Sequence, residues 1–253
     1  AASSDRPPRQ QMGCVREDCA KEACAAERFE SPVLELGGSW ACAVEQQDVA
    51  ALLAFTGRCG CDGAKAEALR ASAASGWLEG VEAMLRLGVD AATADARGRT
   101  ALHSAAQLTC SDLVQRLVAA RAPLDAQDID MDNGEEFRIA HFEKKTTNRT
   151  ALHYAAERLS AMTCEELLRL RASVDIKDCW YKTPLHLAED EPHSQQQLET
   201  ARTLLRYRAN PNLGNMERGP YQTSLLAAVH EKNVVLAELF VEYGADIEAV
   251  GKQ

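Results

Sequence analysis

Apolar residues along the chain gather into short stripes at helical spacing. Leu113, Val114, Leu117 and Val118 stand at i, i+1, i+4 and i+5, which places them on one face of a helix. Leu167/Leu168, Leu204/Leu205 and Leu236/Leu239/Phe240 repeat the stripe. Ahead of each stripe lies a shorter Ala- and Leu-rich segment opened by a threonine: Thr100-Ala-Leu-His-Ser-Ala-Ala106, Thr150-Ala-Leu-His-Tyr-Ala-Ala156, Thr183-Pro-Leu-His-Leu-Ala188 and Thr223-Ser-Leu-Leu-Ala-Ala228. The pattern predicts helix pairs. In each pair a threonine hydroxyl accepts a first-turn N–H, and Pro184 fits the first helical position, where its missing N–H costs nothing. Ala105/Ala106 and Ala155/Ala156 let neighbouring helices approach closely. Gly88 and Gly244 fall where a helix ends on a positive φ.

Spacing turns the pairs into repeats. Thr150 and Thr183 are 33 residues apart, whereas Thr100 to Thr150 spans 50 and Thr183 to Thr223 spans 40, so 17 and 7 residues are inserted. Within a unit, Thr100 to Ala122, Thr150 to Ala172 and Thr223 to Ala245 are all 22 residues apart. The frame extends backwards through Glu67 to Val89, and more weakly through Gly38 to Phe55, with helices expected at Trp40–Ala43 and Val49–Leu53.

The four threonine segments resemble the ankyrin repeat, whose signature is T-P-L-H-x-A-A in a unit of about 33 residues. The resemblance covers roughly residues 36–253. It implies an all-α solenoid of five to six units, with a hairpin insertion at about 129–147 and an N-terminal arm over residues 1–35. No unit buries its stripe alone, so neighbouring units share one continuous core. In the ankyrin family the hairpins and first helices line a concave protein-binding face. The resemblance therefore implies a non-catalytic protein-interaction scaffold without a cofactor, and one or more proteins as partners. A long insertion in a hairpin extends the surface most exposed to a partner.

Composition narrows this further. Aromatic residues make up 5% of the chain while hydrophobic ones make up 46%, which disfavours an aromatic-rich sandwich or barrel. The net charge of −10 argues against a nucleic-acid partner, and Arg97/Arg99 and Lys144/Lys145 are isolated basic pairs without interleaved aromatics. No apolar run is long enough to span a membrane, so membrane association is expected only through a partner. The chain begins Ala1-Ala2-Ser3-Ser4 without an initiator Met, as expected of a trimmed chain or one processed by removal of a targeting segment. Nine irregularly spaced cysteines suit reduced thiols in an intracellular compartment, cytoplasmic or organellar. The arm holds five basic and seven acidic residues and no strong apolar stripe, apart from a short helix expected within Cys14–Phe29. Such an arm is expected to be ordered only where something else holds it, which points to a larger assembly.

Candidate chemistry is sparse. His103, His153 and His186 form a row, but stacked helices lie about 10 Å apart, too far to share a zinc ion at about 2.1 Å. Each ring is instead expected to bridge backbone groups of its own and the next turn. Cys14, Cys19 and Cys24 lie at i+5 steps that do not share a helical face, and Cys59 and Cys61 have no matching second pair. Asp128, Asp130 and Asp132 look like the start of a calcium loop, but Asn133 stands where that loop needs Gly and Ile139 where it needs Glu. Asp128 is also expected as the hairpin aspartate of its repeat. No nucleophile-and-base motif and no Walker loop occurs.

The remaining signal is at the hairpin tips. Trp180, Tyr181 and Lys182 stand together, with Tyr181 in place of the usual turn glycine, and exposed aromatics mark interaction hot spots. The alternative is that one ring packs on Phe137 or Phe142 of the insertion. Tyr154 is expected to project toward the same groove, with Met216, Arg218 and Tyr221 extending the row and Arg97 and Arg99 presented on the same surface. Three uses compete: a permanent accessory subunit of a larger complex, including an organellar one; a soluble adaptor that binds transiently; and a calcium-responsive binding module.

Overall fold

The computed structural model describes residues 40–58, 62–129, 147–189, 194–214 and 223–248. Among these residues twelve helices follow one another: α1 (Trp40–Glu45), α2 (Val49–Arg58), α3 (Asp62–Ala74), α4 (Leu78–Arg86), α5 (Ala101–Gln107), α6 (Ser111–Ala119), α7 (Ala151–Glu157), α8 (Ala161–Arg169), α9 (Pro184–Glu189), α10 (Gln195–Arg206), α11 (Ser224–His230) and α12 (Val234–Glu242). They pair as the stripes predict, including the weak first unit, whose helices fall at Trp40–Glu45 and Val49–Arg58.

The pairs form two rows. The odd-numbered helices pack on one another in chain order from α1 to α11, and α2, α4, α6, α8 and α10 do the same in a second row. A single apolar core runs from Ala43 to Ala245 between them. Ala105, Ala106, Ala155 and Ala156 are fully buried in the first row, where a larger side chain would force the helices apart. In the second helices of the pairs Leu113, Leu117, Leu167, Leu204, Leu236 and Phe240 are fully buried. Truncating one such leucine to alanine removes about 2–5 kcal/mol.

Local chemistry sets the ends of the helices. Ser160, Ser194 and Asn233 open α8, α10 and α12, and their side chains accept the backbone N–H of Thr163, Gln197 and Leu236. The second helices close on positive φ at Gly88 and Gly244, as expected. In three central units the same position is arginine: Arg121, Arg171 and Arg208, at φ 67°, 75° and 69°. Cys164 is fully buried, and desolvation pushes its thiol up to about 12, so it behaves as a small apolar side chain. Among the described residues Cys42, Cys110, Cys164 and Cys179 lie outside any disulfide. The arm with Cys14, Cys19 and Cys24, the pair Cys59 and Cys61, and most of the insertion lie outside the described residues.

Candidate binding surface at the hairpin tips

Each hairpin is organised by one aspartate. Asp95 Oδ1 accepts the backbone N–H of Arg97 and Arg99 at 2.9 and 2.8 Å. Asp178 Oδ1 accepts those of Trp180 and Lys182 at 2.9 and 2.8 Å. Asp128 does the same across the insertion, since its Oδ1 accepts the N–H of Arg149 at 2.7 Å and the hydroxyl of Thr147 at 2.5 Å. One turn residue per hairpin sits at positive φ: Gly98 at 70°, Asn148 at 51° and Tyr181 at 62°. The tips are also joined to one another, as Cys179 N–H donates to the Thr147 carbonyl at 3.0 Å.

Histidines fasten the first helices to this edge. Thr150 N–H donates to His153 Nδ1 at 3.1 Å, so the ring proton is on Nε2, which lies 3.2 Å from the Lys182 carbonyl. His103 takes the N–H of Thr100 at 3.0 Å and reaches the carbonyls of Ala126 and Arg149 at 3.1 and 3.2 Å. His186 accepts the N–H of Thr183 at 3.1 Å in the same way. Burial lowers the pKa of His103 and brings that of His153 down to about 4, so both rings are held neutral. In His103 and His153 both ring nitrogens are engaged with backbone, the bridging role expected of this row.

The aromatic tip is arranged differently from the sequence expectation. Tyr154 does not project into the groove; it is buried, and its hydroxyl donates to Asp128 Oδ2. Asp128 itself is fully buried with both oxygens engaged, so it serves the hairpin and is not turned toward a cation. Lys182 is buried as well, because its backbone closes the Asp178 loop on both sides. Trp180 is half-buried and Tyr181 is 46% exposed. Arg97 is exposed, and Arg99 is half-buried beside Asp95, 3.3 Å from its carboxylate. Met216, Arg218, Tyr221, Asp130, Asp132, Phe137 and Phe142 lie outside the described residues.

Arg149 escaped the sequence reading and is central. Its guanidinium lies 6.0 Å from the Tyr154 ring centroid and 5.6 Å from that of Trp180. It bonds Glu157 at 2.9 Å and stands 3.8 Å from Asp178 Oδ2. Asp178 is pushed up to about 6 by burial, against the opposing pull of the Lys182 and Trp180 N–H groups and of Arg149. Arg149 thus stands against the half-buried ring of Trp180, while Tyr181 is the more exposed of the two, with Lys177 5.8 Å from its ring. The signal was present in the register, since Arg149 precedes Thr150 as Arg99 precedes Thr100.

Backbone and side-chain hydrogen bonds thus join successive hairpins into one edge. Among the described residues no group of three or more His, Cys, Asp or Glu side chains could hold a metal ion. No described helix is long and apolar enough to cross a membrane. Rows of helix pairs joined through hairpins define a repeat-solenoid interaction module. A family model for the ankyrin repeat matches residues 97–129, and one for ankyrin repeats in three copies matches residues 131–215. Residues 97–215 thus carry ankyrin repeats, and such repeats indicate a protein–protein interaction module. Proteins of this family are in general non-catalytic binding scaffolds. No curated protein matches the chain.

Proposed function

We propose that the chain is a permanent accessory subunit of a larger protein complex. It has no catalytic role and contacts its protein partners through the hairpin tips. The observation that carries this reading is Tyr181, an exposed ring on a backbone at φ 62°, in a register where Asn148 stands one hairpin earlier and Gly98 two. A bulky residue in this conformation is unfavourable by about 1–2 kcal/mol, and strain of this kind collects at functional sites. With Trp180 braced by Arg149, the tip offers two ordered aromatics that lose little freedom on binding. The acidic insertion within the repeat domain of residues 36–253, and the arm over residues 1–35 ahead of it, serve as extra contact elements. The net charge of −10 favours basic protein partners over nucleic acid. The cysteine content suits a reducing intracellular compartment, cytoplasmic or organellar, with any membrane reached through a partner.

Trp180→Ala is expected to weaken partner capture from native extract by more than about tenfold while leaving the helical circular dichroism unchanged. Equal capture would reduce Trp180 to local packing. Size-exclusion chromatography of native extract separates a subunit from an adaptor: elution only as the free 27.6 kDa chain would sink the subunit reading.

A further inference from the structure

The common register allows one position to be followed from pair to pair. Six residues after the N-cap threonine stand Ala106 in α5 and Ala156 in α7, both fully buried. Four residues before the alanine that follows each second helix stand Leu168 and Leu205, both buried. Eight before it stand Val114, Cys164 and Ala201, fully buried, and two after it stand Leu124 and Val174, packed against the core. These positions are covered, fully or in part, in pairs that another described pair follows.

In α11–α12 the same positions hold Val229, Val241, Ala237 and Ile247. Val229 is 59% exposed, Val241 42% and Ile247 73%, and Ala237 is half-buried. A repeat-array end that faces water carries a polar outer face. Here every position of the inter-unit interface is still apolar, so the interface continues beyond the last described pair. Its surroundings are charged with one sign. Residues 223–248 contain five acidic residues and one lysine, with Glu238, Glu242, Asp246 and Glu248 all exposed. A second copy of the chain would bring an equally acidic edge against this one, whereas a basic edge complements it.

We propose that the outer face of α11–α12, centred on Val229, Val241 and Ile247, docks a helix of a partner protein whose apolar stripe is edged by Lys or Arg. This face is the outer side of the last described pair, away from the tips at Arg97 and Trp180. It gives the protein a second docking site that works by apolar helix packing, with charge selecting the partner.

The test uses the full chain and two labelled helical peptides of roughly 18 residues, one of Leu and Lys and one of Leu and Glu, followed by fluorescence anisotropy. The Leu–Lys peptide is expected to bind with micromolar affinity and the Leu–Glu peptide not to bind. Val229→Ser combined with Val241→Ser keeps every charge and is expected to weaken Leu–Lys binding by about tenfold. Ile247→Ser, outside both helices, is expected to weaken it by about threefold, so the outcome does not depend on helix stability. Trp180→Ala, at the hairpin tip, is expected to leave this binding unchanged. Unaltered affinity in both serine variants would overturn the proposal by reducing the attraction to net charge alone, as would failure of the Leu–Lys peptide to bind. A dimer in light scattering that the double variant dissolves would also overturn it, by giving the face to a second copy.

Discussion

Helices α7 and α11 begin on the same threonine and occupy the same place in their units, yet they are held in different ways. At the third residue α7 has His153, whose ring accepts the Thr150 N–H and reaches across to the Lys182 carbonyl of the next hairpin. At that place α11 has Leu226, which offers no hydrogen bond, and the threonine works alone: Thr223 accepts the Leu226 N–H at 3.5 Å. The histidine therefore does more than cap a helix. It fastens each unit to the hairpin edge, and the central units, which carry it, also carry the ordered tips. The last described pair is fastened away from the first helix, where Asn233 donates to Gln197 Oε1 at 3.2 Å and the Asp246 N–H to Asn212 Oδ1 at 2.7 Å, and it leaves Val229, Val241 and Ile247 exposed.

Removing the lock should give the largest effect. His153→Ala leaves the Thr150 N–H and the Lys182 carbonyl buried without the ring, and we expect a loss of about 3 kcal/mol in urea unfolding. Leu226→Ala, at a half-buried site, is expected to cost only about 1 kcal/mol. Equal losses at the two sites would show that the ring contributes no more than its volume.

A second prediction concerns why one hairpin keeps glycine. At Gly98 (φ 70°) an added Cβ would lie 2.8 Å from Ile129 Cγ1 and 3.1 Å from the Ile129 backbone nitrogen. That nitrogen donates to the Arg97 carbonyl at 2.5 Å, so the next hairpin is fixed against the first and cannot retreat. Gly98→Ala is expected to cost about 2 kcal/mol by chemical denaturation, through crowding added to an unfavourable φ.

The pH dependence tests the edge as a whole, through two groups of opposite sign. His153 is lowered from 6.5 to about 4 by burial, so its contribution to stability is full above pH 6.5 and is lost as pH falls toward 4. Asp178 is raised from 3.8 to about 6, again by burial, so its contribution is full below pH 3.8 and is lost as pH rises through 6. Their windows overlap and partly cancel, and the native chain should show a shallow profile. Asp178→Asn keeps an oxygen for the Trp180 and Lys182 N–H groups while removing the titration. The variant should lose about 2–4 °C more in melting temperature than the native chain between pH 6.5 and 4.

The fold was legible because its determinants are local. An N-cap threonine, a histidine three residues on, paired alanines and an i, i+1, i+4, i+5 stripe are written within about two turns of helix, and their register survives insertions. The site was legible only in part. Asp128 finds its donors at Thr147, Arg149 and Tyr154, beyond an insertion that hides the pairing, so Tyr154 was taken for a surface residue when its hydroxyl is drawn inward. Lys182 was grouped with the aromatics beside it at the tip, whereas its backbone groups close the Asp178 loop and the residue is buried. The arginines at positive φ have no sequence signature, because glycine at Gly88 and Gly244 is only the less strained choice for the same turn.

The smallest expected effect separates the two demands made on the hairpin edge. Tyr181 and Gly98 occupy one register position, and only the tyrosine is strained by its φ. Tyr181→Gly relieves that strain but gives up the contact with Lys177, so a net stabilisation of about 0.5 kcal/mol is expected in thermal or urea unfolding. If the ring is retained for contact, the same variant should capture its partners less well while being the more stable protein. A gain in stability without loss of capture would mean that the edge binds through Trp180 and its neighbours alone. A loss of stability would mean that the ring supports the hairpin and that its exposure is incidental.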